Sequence, residues 1–236
     1  MERLRIGLLI PPPNVLMEPE FREIVPPHIT IHATRISRST DKVTVDSLLE
    51  MERNTEEAAR VLAMARPNVI IFGCTSGSLI MGVGWDRQIV EKIATVTPIP
   101  AITTSTAVVE ALKSLNAKKI AVFTPYIEEI NERETGFLEG NGFQVLTISG
   151  LGISESLKIA QVPISEVHRL SLQTDKKEAD ALFISCTNFP TIGIIDRLER
   201  ELGKPVVTSN QASAWYALKR MGRKEQIRGF GSLFEK

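Results

Sequence analysis

Short apolar runs alternate with longer amphipathic stretches along the whole chain. Most of the eight short runs are continuously apolar, which is typical of strands covered by helices on both faces. They predict strands at residues 5–10, 30–35, 69–72, 101–103, 120–123, 144–148, 181–185 and 206–208. The stretches between them predict helices at 44–65, 85–95, 107–116, 127–141, 164–177, 192–202 and 211–220. This alternation predicts an α/β fold with parallel sheets.

A repeat is superimposed on the alternation. Three segments of the first half recur in the same order in the second: 6–11 resembles 120–125, 69–76 resembles 181–188, and 100–104 resembles 205–209. Three ordered matches indicate a duplicated four-strand unit, because chance similarity between apolar strands does not preserve order. We therefore predict two pseudo-symmetric, doubly wound Rossmann-like halves, each with a four-stranded parallel sheet and with the active site between them.

The two halves are expected at residues 1–104 and 105–208, and a C-terminal helix within 209–236 is expected to join the first half. Two of the predicted helices stop at glycines, Gly142 and Gly203, because glycine adopts the left-handed conformation that ends many helices.

The composition excludes several classes of function. Among 236 residues, 28 are basic and 28 acidic, so the balanced charge gives no attraction for nucleic acid or for an anionic membrane surface. No apolar run approaches the about 20 residues of a membrane span, and the first one is too short for a signal peptide. Two cysteines are too few for a disulfide framework or a structural zinc site. We expect a cytoplasmic protein with free thiols and no metal.

The two cysteines occupy equivalent places in the repeat. Cys74 and Cys186 each end an apolar strand and precede a polar turn, in the matched contexts Cys-Thr-Ser and Cys-Thr-Asn. Open parallel sheets bind ligands beyond the carboxyl ends of their strands, so two facing sheet edges would bring both thiols into one cleft. We also expect a helix to begin after each turn, and a helix N-terminus lowers a thiol pKa from about 8.5 towards neutrality.

Two opposed thiols suit chemistry on two faces of a small acid. One thiolate acts as base or nucleophile while the other thiol donates a proton from the opposite face. Racemisation, cis–trans isomerisation through a transient thioether, and protonation after decarboxylation all fit this arrangement. A carboxylate must be held nearby, and we expect neutral donors and helix termini to hold it. Ser209 and Asn210 are interpreted as caps of the last helix.

Several motifs together carry a resemblance to a known family. They are Pro12-Pro13-Asn14 with Met17-Glu18-Pro19-Glu20, Gly73-Cys74-Thr75-Ser76-Gly77-Ser78, Pro125-Tyr126, Ser185-Cys186-Thr187-Asn188-Phe189-Pro190 and Thr208-Ser209-Asn210-Gln211-Ala212. This set resembles the maleate cis–trans isomerase branch of the aspartate/glutamate racemase superfamily, which also contains the arylmalonate decarboxylases. The resemblance spans nearly the whole chain.

The resemblance implies a cofactor-independent enzyme that acts on a small carboxylic or dicarboxylic acid and forms a homo-oligomer. It implies that Cys74 is the base or nucleophile and that Cys186 is the opposing proton donor. The residues that it implies for carboxylate binding are Asn14, Thr75, Ser76, Tyr126, Ser156, Thr187 and Asn188. The glycine-containing segments match neither a P-loop nor a dinucleotide fingerprint, so no nucleotide is expected either.

Departures from the family patterns narrow the choice of branch. Amino-acid racemases of the superfamily have an Asp-Ser-Gly turn after the first strand and a histidine two residues after the second cysteine, where this chain has Pro12-Pro13-Asn14 and Asn188. This difference favours a substrate without an amine. The decarboxylases keep only the second cysteine, whereas this chain has both. The isomerases have an Asp-Asn pair where this chain has Glu155-Ser156, which counts against maleate itself as the substrate.

We predict a two-cysteine isomerase that acts on a small dicarboxylate or a related 2-substituted acid. An arylmalonate-type decarboxylase or a racemase is the alternative within the same superfamily. Two alternatives belong to other classes: a non-catalytic module that binds small acids, and a redox sensor that forms a reversible disulfide between the two cysteines.

Overall fold

A computed structural model of the chain describes residues 4–223 and 225–235. Residues 1–3 of the expected first half and residues 224 and 236 of the C-terminal segment lie outside this description. Its eight strands are β1 (Leu4–Ile10), β2 (Ile29–Arg35), β3 (Val69–Phe72), β4 (Ala101–Thr103), β5 (Lys119–Thr124), β6 (Gln144–Gly150), β7 (Ala181–Ile184) and β8 (Val206–Thr208). All eight predicted strands are present, and each end lies within two residues of its predicted position.

The strands form two four-stranded sheets with the same topology. The first has the order β2-β1-β3-β4 and the second has the order β6-β5-β7-β8, and every neighbouring pair is parallel. The orders become identical when each strand is replaced by its equivalent in the repeat. The predicted fold class, two Rossmann-like four-stranded units, is therefore confirmed. The division of the chain after residue 104 stays a prediction.

Eleven α-helices occur within the described ranges. They are α1 (Met17–Ile24), α2 (Val45–Arg53), α3 (Thr55–Ala63), α4 (Thr75–Leu79), α5 (Trp85–Ala94), α6 (Thr104–Ser114), α7 (Glu128–Gly140), α8 (Ser156–Ala160), α9 (Ile164–Thr174), α10 (Ile195–Leu202) and α11 (Ser209–Arg220). None of these helices is long and apolar enough to cross a membrane.

The helices differ from prediction in two ways. The single helix expected at 44–65 is two helices, because the backbone leaves helical geometry at Asn54, whose side-chain amide donates to the carbonyl of Ser37. Helices α1 and α8 are not in the predicted set, and α4, the helix expected after the Cys74 turn, begins at Thr75 without an intervening turn. The expected helix stops are present: Gly142 and Gly203 have φ values of +95° and +67°.

The hydrophobic core lies on both sheets, whose central strands β1, β3, β5 and β7 are almost entirely buried. Helix α11 packs against α6 and α1 and reaches β3 and β8, so it contacts strands of both sheets. This packing places the carboxyl ends of β3 and β7, where the two cysteines follow, close to the start of α11.

Candidate active site

Cys74 follows β3 and forms the N-cap of the short helix α4. Its Sγ accepts a hydrogen bond from the backbone N–H of Gly77 at 3.3 Å and lies 3.7 Å from Ser76 Oγ. The preceding residue must be glycine, because a Cβ at Gly73 would lie 2.5 Å from the sulfur of Met17. The close approach of α1 at this point therefore fixes the backbone that presents the Cys74 thiol.

Cys186 follows β7 with a φ of +95°, a conformation that non-glycine residues rarely adopt. Its Sγ accepts the backbone N–H of Asn188 at 3.3 Å, and the Tyr126 hydroxyl also lies within hydrogen-bonding reach. The helix expected at 192–202 is present as a short 3-10 turn (Ile192–Ile194) followed by α10. It begins six residues after Cys186, so the thiol is surrounded by turn amides and a phenol and does not lie at the helix N-terminus.

Both thiols line one narrow cleft between the two sheets. The lining residues are Pro11, Asn14, Arg38, Val43, Leu48, Cys74, Thr75, Ser76, Tyr126, Ser156, Cys186, Thr187 and Asn188. Every site residue predicted from the sequence is in this set. The cleft has a free volume of about 20 Å³, which is room for about one water molecule, so it must widen to admit an organic acid.

Burial sets the protonation of both thiols. It raises the pKa of the Cys74 thiol above its ordinary value, although the Gly77 N–H, the charge of Arg38 and the Ser76 hydroxyl act in the opposite direction. Burial raises the pKa of Cys186 to about 12, against hydrogen bonds from Tyr126 and Asn188. The expectation that helix termini lower both thiol pKa values is therefore wrong, because loss of hydration outweighs the nearby donors.

Arg38 was missed by the sequence analysis, which expected neutral donors to hold carboxylates. It lies three residues after the end of β2, at the same sheet edge as Cys74, and its half-buried guanidinium lines the cleft. Burial lowers the pKa of Arg38, and the nearby thiols, Cys74 first, oppose this shift. The available signal was its position just beyond a carboxyl strand end, where ligands bind in such sheets.

Asn14 and Thr187 join the two halves of the cleft. The Asn14 side-chain amide donates to Thr187 Oγ1 at 2.9 Å, and the Thr187 hydroxyl donates to the carbonyl of Gly73 at 3.1 Å. The Asn14 side-chain oxygen accepts the backbone N–H groups of Leu16 and Met17 at the start of α1. The turn after Cys186 is thereby fixed to the backbone before Cys74.

Asn188 binds two separate segments, the loop after β1 and the start of α8. Its amide nitrogen donates to the carbonyl of Ser156 at 2.8 Å and to that of Pro13 at 3.2 Å, and its oxygen accepts the backbone N–H of Val15 at 2.9 Å. Both the amide nitrogen and the amide oxygen of the Asn188 side chain therefore form hydrogen bonds within the protein. It fixes Ser156 and the loop after β1 around the cleft.

Ser209 and Asn210 are not the caps of α11. Thr208 is the N-cap and forms a capping box with Gln211. Ser209 is buried, and its Oγ accepts the Thr75 hydroxyl at 2.9 Å and the Cys186 backbone N–H at 3.0 Å. Asn210 donates to the carbonyl of Thr187 at 3.0 Å. Both residues therefore support the turns that follow the two cysteines.

Two buried carboxyl groups, absent from the predicted site, lie behind the cleft. Glu20 accepts hydrogen bonds from the Asn210 side chain at 2.6 Å and from the backbone N–H of Thr191 at 3.0 Å. Glu134 accepts the Ser185 hydroxyl at 2.7 Å. Burial raises the pKa of each carboxyl to about 7. Glu20 lies in the motif Met17-Glu18-Pro19-Glu20 that contributes to the resemblance, whereas nothing in the sequence pattern distinguishes Glu134 from the solvated glutamates of other helices.

Two loops meet over the cleft. Lys42 and Glu155 form an isolated antiparallel bridge, with the Val43 N–H donating to the carbonyl of Ser154 at 2.7 Å. The loop after β2, which carries Arg38, is thereby attached to the loop before α8. Opening of this bridge would widen the cleft.

Neither cysteine forms a disulfide, and both are buried. Within residues 4–223 and 225–235, no group of three or more histidine, cysteine, aspartate or glutamate side chains is arranged to hold a metal ion.

Proteins of known structure share this architecture. A maleate cis–trans isomerase variant from Nocardia farcinica, described with a covalently bound succinylcysteine intermediate, superimposes with a TM-score of 0.94 at 26% identity and covers 98% of each chain. The maleate isomerase Iso from Pseudomonas putida S16, in a variant with maleate, gives a TM-score of 0.92 at 27% identity, over 98% of this chain and 97% of the other.

Sequence comparison gives relatives of two named activities. A maleate isomerase from Nocardia farcinica is 29% identical over 97% of this chain and 94% of the relative. An arylmalonate decarboxylase from Bordetella bronchiseptica is 28% identical over 98% of this chain and 96% of the relative. The sequence model of the arylmalonate decarboxylase family matches residues 6–234. Fold, paired-cysteine cleft and sequence thus agree, and the chain belongs to the arylmalonate decarboxylase family.

Proposed function

We propose that this protein is a cofactor-independent cis–trans isomerase of a small unsaturated dicarboxylate, with Cys74 as nucleophile and Cys186 as proton donor. The observation that carries the proposal is the placement of both thiols in one cleft, in unequal surroundings. Burial raises the pKa of both thiols, that of Cys186 to about 12, and hydrogen-bond donors oppose the shift at each; at Cys74 the charge of Arg38 also favours the thiolate. One nucleophile and one acid are what addition to a double bond requires.

In the first step, the Cys74 thiolate donates an electron pair to one carbon of the double bond. The π electrons form a C–H bond at the other carbon with the proton of Cys186, which becomes a thiolate. The hydrogen bonds that Asn188 N–H and the Tyr126 hydroxyl make to Cys186 Sγ stabilise that thiolate. The product is a succinyl thioether on Cys74, the kind of species named for the Nocardia farcinica isomerase.

In the second step, the former double bond is single and rotates. The rotation turns the other hydrogen of the protonated carbon towards Cys186; the Cys186 thiolate removes that hydrogen as a proton, the electron pair re-forms the double bond, and the Cys74 thiolate leaves. The trans product is released and both thiols return to their starting states. No redox change occurs, so the two cysteines and the groups that hold the carboxylates are sufficient for the cycle.

We propose that the predicted binding residues divide into two groups. Ser76, Tyr126 and Ser156 lie around the cleft with side chains suited to hold carboxylates. The side chains of Asn14, Thr75, Thr187 and Asn188 make internal hydrogen bonds, so their role in this proposal is to position the turns and present backbone N–H groups.

The test uses Cys74→Ala and Cys186→Ala with maleate and substituted maleates, followed by proton NMR in D₂O. The wild type should form the trans isomer, and each variant should lose at least about a thousandfold in rate, because each removes a reacting group. Thermal unfolding of both variants controls for folding. Full activity in both folded variants would overturn the proposal, as would failure of the wild type to isomerise any unsaturated dicarboxylate.

Arylmalonate decarboxylation is the second candidate, supported by the family match and by the Bordetella bronchiseptica relative. This reaction needs a proton donor on one face only. If it is the main activity, an arylmalonate should release CO₂ with the wild type and with Cys74→Ala, whereas Cys186→Ala should be inactive. The same NMR assay distinguishes the two activities.

Self-association and a cytoplasmic location stay predictions. Light scattering on the purified protein tests the first, and fractionation of expressing cells tests the second.

A further inference from the structure

Arg38 is the one side chain with a permanent charge among the described residues that line the cleft. The other lining groups are thiols, hydroxyls, amides, a phenol and apolar side chains. The chain as a whole is neutral, with 28 basic and 28 acidic residues, so no general positive field compensates. The charge balance of a bound ligand therefore depends on this single guanidinium.

The guanidinium of Arg38 has unused hydrogen-bonding capacity. One terminal nitrogen donates to the carbonyl of Asp41 at 2.9 Å. The Nε atom is buried and has no hydrogen-bond partner among the described residues. A buried charged donor without a partner is unfavourable, and a carboxylate is the group that best satisfies it, because the guanidinium fork matches two carboxylate oxygens.

Four neutral residues of the cleft, Asn14, Thr75, Thr187 and Asn188, make internal hydrogen bonds, which leaves the hydroxyls of Ser76, Tyr126 and Ser156 as its neutral side-chain donors. The hydroxyl hydrogens of Thr75 and Thr187 are donated to Ser209 Oγ and to the carbonyl of Gly73, and the Asn188 amide donates to two backbone carbonyls. These groups can support one carboxylate through the adjoining backbone amides. They offer little to a second carboxylate removed from water, whose burial without a counter-charge is strongly unfavourable.

We propose that Arg38 is the specificity-determining residue that binds the second carboxylate and thereby restricts the enzyme to dianionic substrates. This inference rests on the proposed function and refines its substrate class. Arg38 lies in the loop that the bridge between Lys42 and Glu155 attaches over the cleft. The guanidinium is therefore carried by the segment that covers the ligand. A monocarboxylate or a half-amide would leave the guanidinium unpaired.

The experiment compares Arg38→Gln and Arg38→Lys with the wild type on two substrates, maleate and its half-amide maleamate. Arg38→Gln should lower kcat/KM for maleate by about 10- to 100-fold, the range for loss of a hydrogen bond to a charged group. The half-amide should lose only what Arg38 contributes to the Cys74 thiolate, so its loss should be clearly smaller than that of maleate, and Arg38→Lys should restore part of the maleate activity because the charge returns without the fork. Arg60→Gln, an exposed cation of α3, is the control for net charge and should not change the ratio of the two substrates.

Calorimetric binding of succinate and succinamate separates this inference from the proposed function. The wild type should bind succinate more tightly, and Arg38→Gln should abolish the preference. If the wild type shows this Arg38-dependent preference but isomerises nothing, the proposed function fails and the inference stands. If maleate is isomerised and Arg38→Gln retains the dianion preference, the inference is overturned while the function stands. Equal losses on both substrates would also overturn it, because they would assign Arg38 to activation of Cys74.

Discussion

The side-chain oxygen of Ser209 accepts the backbone N–H of Cys186 at a distance of 3.0 Å. The same oxygen accepts the hydroxyl of Thr75, the residue after the other cysteine, at 2.9 Å. One buried atom at the start of α11 is therefore bonded to the turns that follow both strands. The relative position of the two thiols depends on Ser209, which itself does not line the cleft.

Ser209→Ala should reduce activity without removing any reacting group. Loss of the acceptor leaves the Cys186 N–H unsatisfied, at a cost of about 1–3 kcal/mol in unfolding free energy. We expect kcat to fall about tenfold while KM changes little, because the thiols shift more than the carboxylate-binding groups. Steady-state kinetics and urea unfolding measure the two effects.

Ser213→Ala is the matched control for Ser209→Ala. Ser213 is fully buried in the same helix, but its hydroxyl donates to Thr104 instead of the cysteine turns. It should lose stability and keep kcat. Equal kcat values for the two variants would contradict the role given to Ser209.

Glu134→Gln should stabilise the protein more at high pH than at low pH. Burial raises the pKa of Glu134 from 4.5 to about 7, so the folded state holds its proton where the unfolded state has lost it. The associated stability is fully present below about pH 4.5 and is lost as the pH rises through about 7. A neutral glutamine avoids that loss, which is up to about 3 kcal/mol by pH 8.

Urea unfolding of Glu134→Gln and the wild type between about pH 5 and pH 8 measures this difference. Glu132→Gln, at an exposed glutamate of the same helix, is the control for replacing a carboxyl by an amide outside the core. If the difference in unfolding free energy between Glu134→Gln and the wild type is constant across this range, the Glu134 carboxyl titrates alike in the folded and unfolded states. That result would contradict the prediction.

Gly150→Ala should displace Tyr126. A Cβ at this position would lie 2.5 Å from the carbonyl oxygen of Tyr126 and would also strike the Asn131 side-chain amide. We expect a loss of about 1–3 kcal/mol in stability and a clear fall in kcat, because the phenol that contacts Cys186 moves. Gly136→Ala is the control: it lies in α7 with no atom near the added Cβ, so it should be neutral or stabilising by up to about 1 kcal/mol. Wild-type kcat in Gly150→Ala would refute the steric account.

Alkylation should show that both thiols have a raised pKa. In Cys186→Ala, the rate of reaction with iodoacetamide measures the reactivity of the remaining thiol, Cys74. In Cys74→Ala, the same rate measures the reactivity of Cys186. Because burial raises both pKa values, that of Cys186 to about 12, neither rate should level off near pH 8.5. The urea-unfolded protein, whose thiols titrate near about 8.5, is the reference. A plateau near pH 8.5 in the folded protein would instead favour the non-catalytic acid-binding alternative.

The strands, the repeat and the meeting of the cysteines follow from local pattern. Continuous apolar runs specify buried strands whatever surrounds them, and duplication implies that Cys74 and Cys186 occupy equivalent strand ends. The bounds of α4 were not predicted because its five residues, Thr75–Leu79, have weak helix propensity. It forms in a setting that tertiary structure supplies, such as the bond from Trp85 to the carbonyl of Gly77.

The sequence pattern does not predict the ionisable residues Arg38 and Glu134 for a similar reason. Arg38 reaches the cleft because the loop after β2 folds back and pairs with residues more than a hundred positions later, through Lys42 and Glu155. Glu134 is buried because Ser185 and the neighbouring helices surround it. Single residues that acquire their environment from distant segments leave no periodic signal in the sequence.

The hydrogen bonds between Asn14, Thr187 and Gly73 have a consequence for the order of folding. They join residues 173 and 114 positions apart, so they form only after both sheets exist and the long loop between them has closed. Each four-stranded unit can gain its secondary structure earlier. During refolding, recovery of catalytic activity should therefore lag behind recovery of the helical circular dichroism signal, and the cleft should be among the last parts of the molecule to assemble.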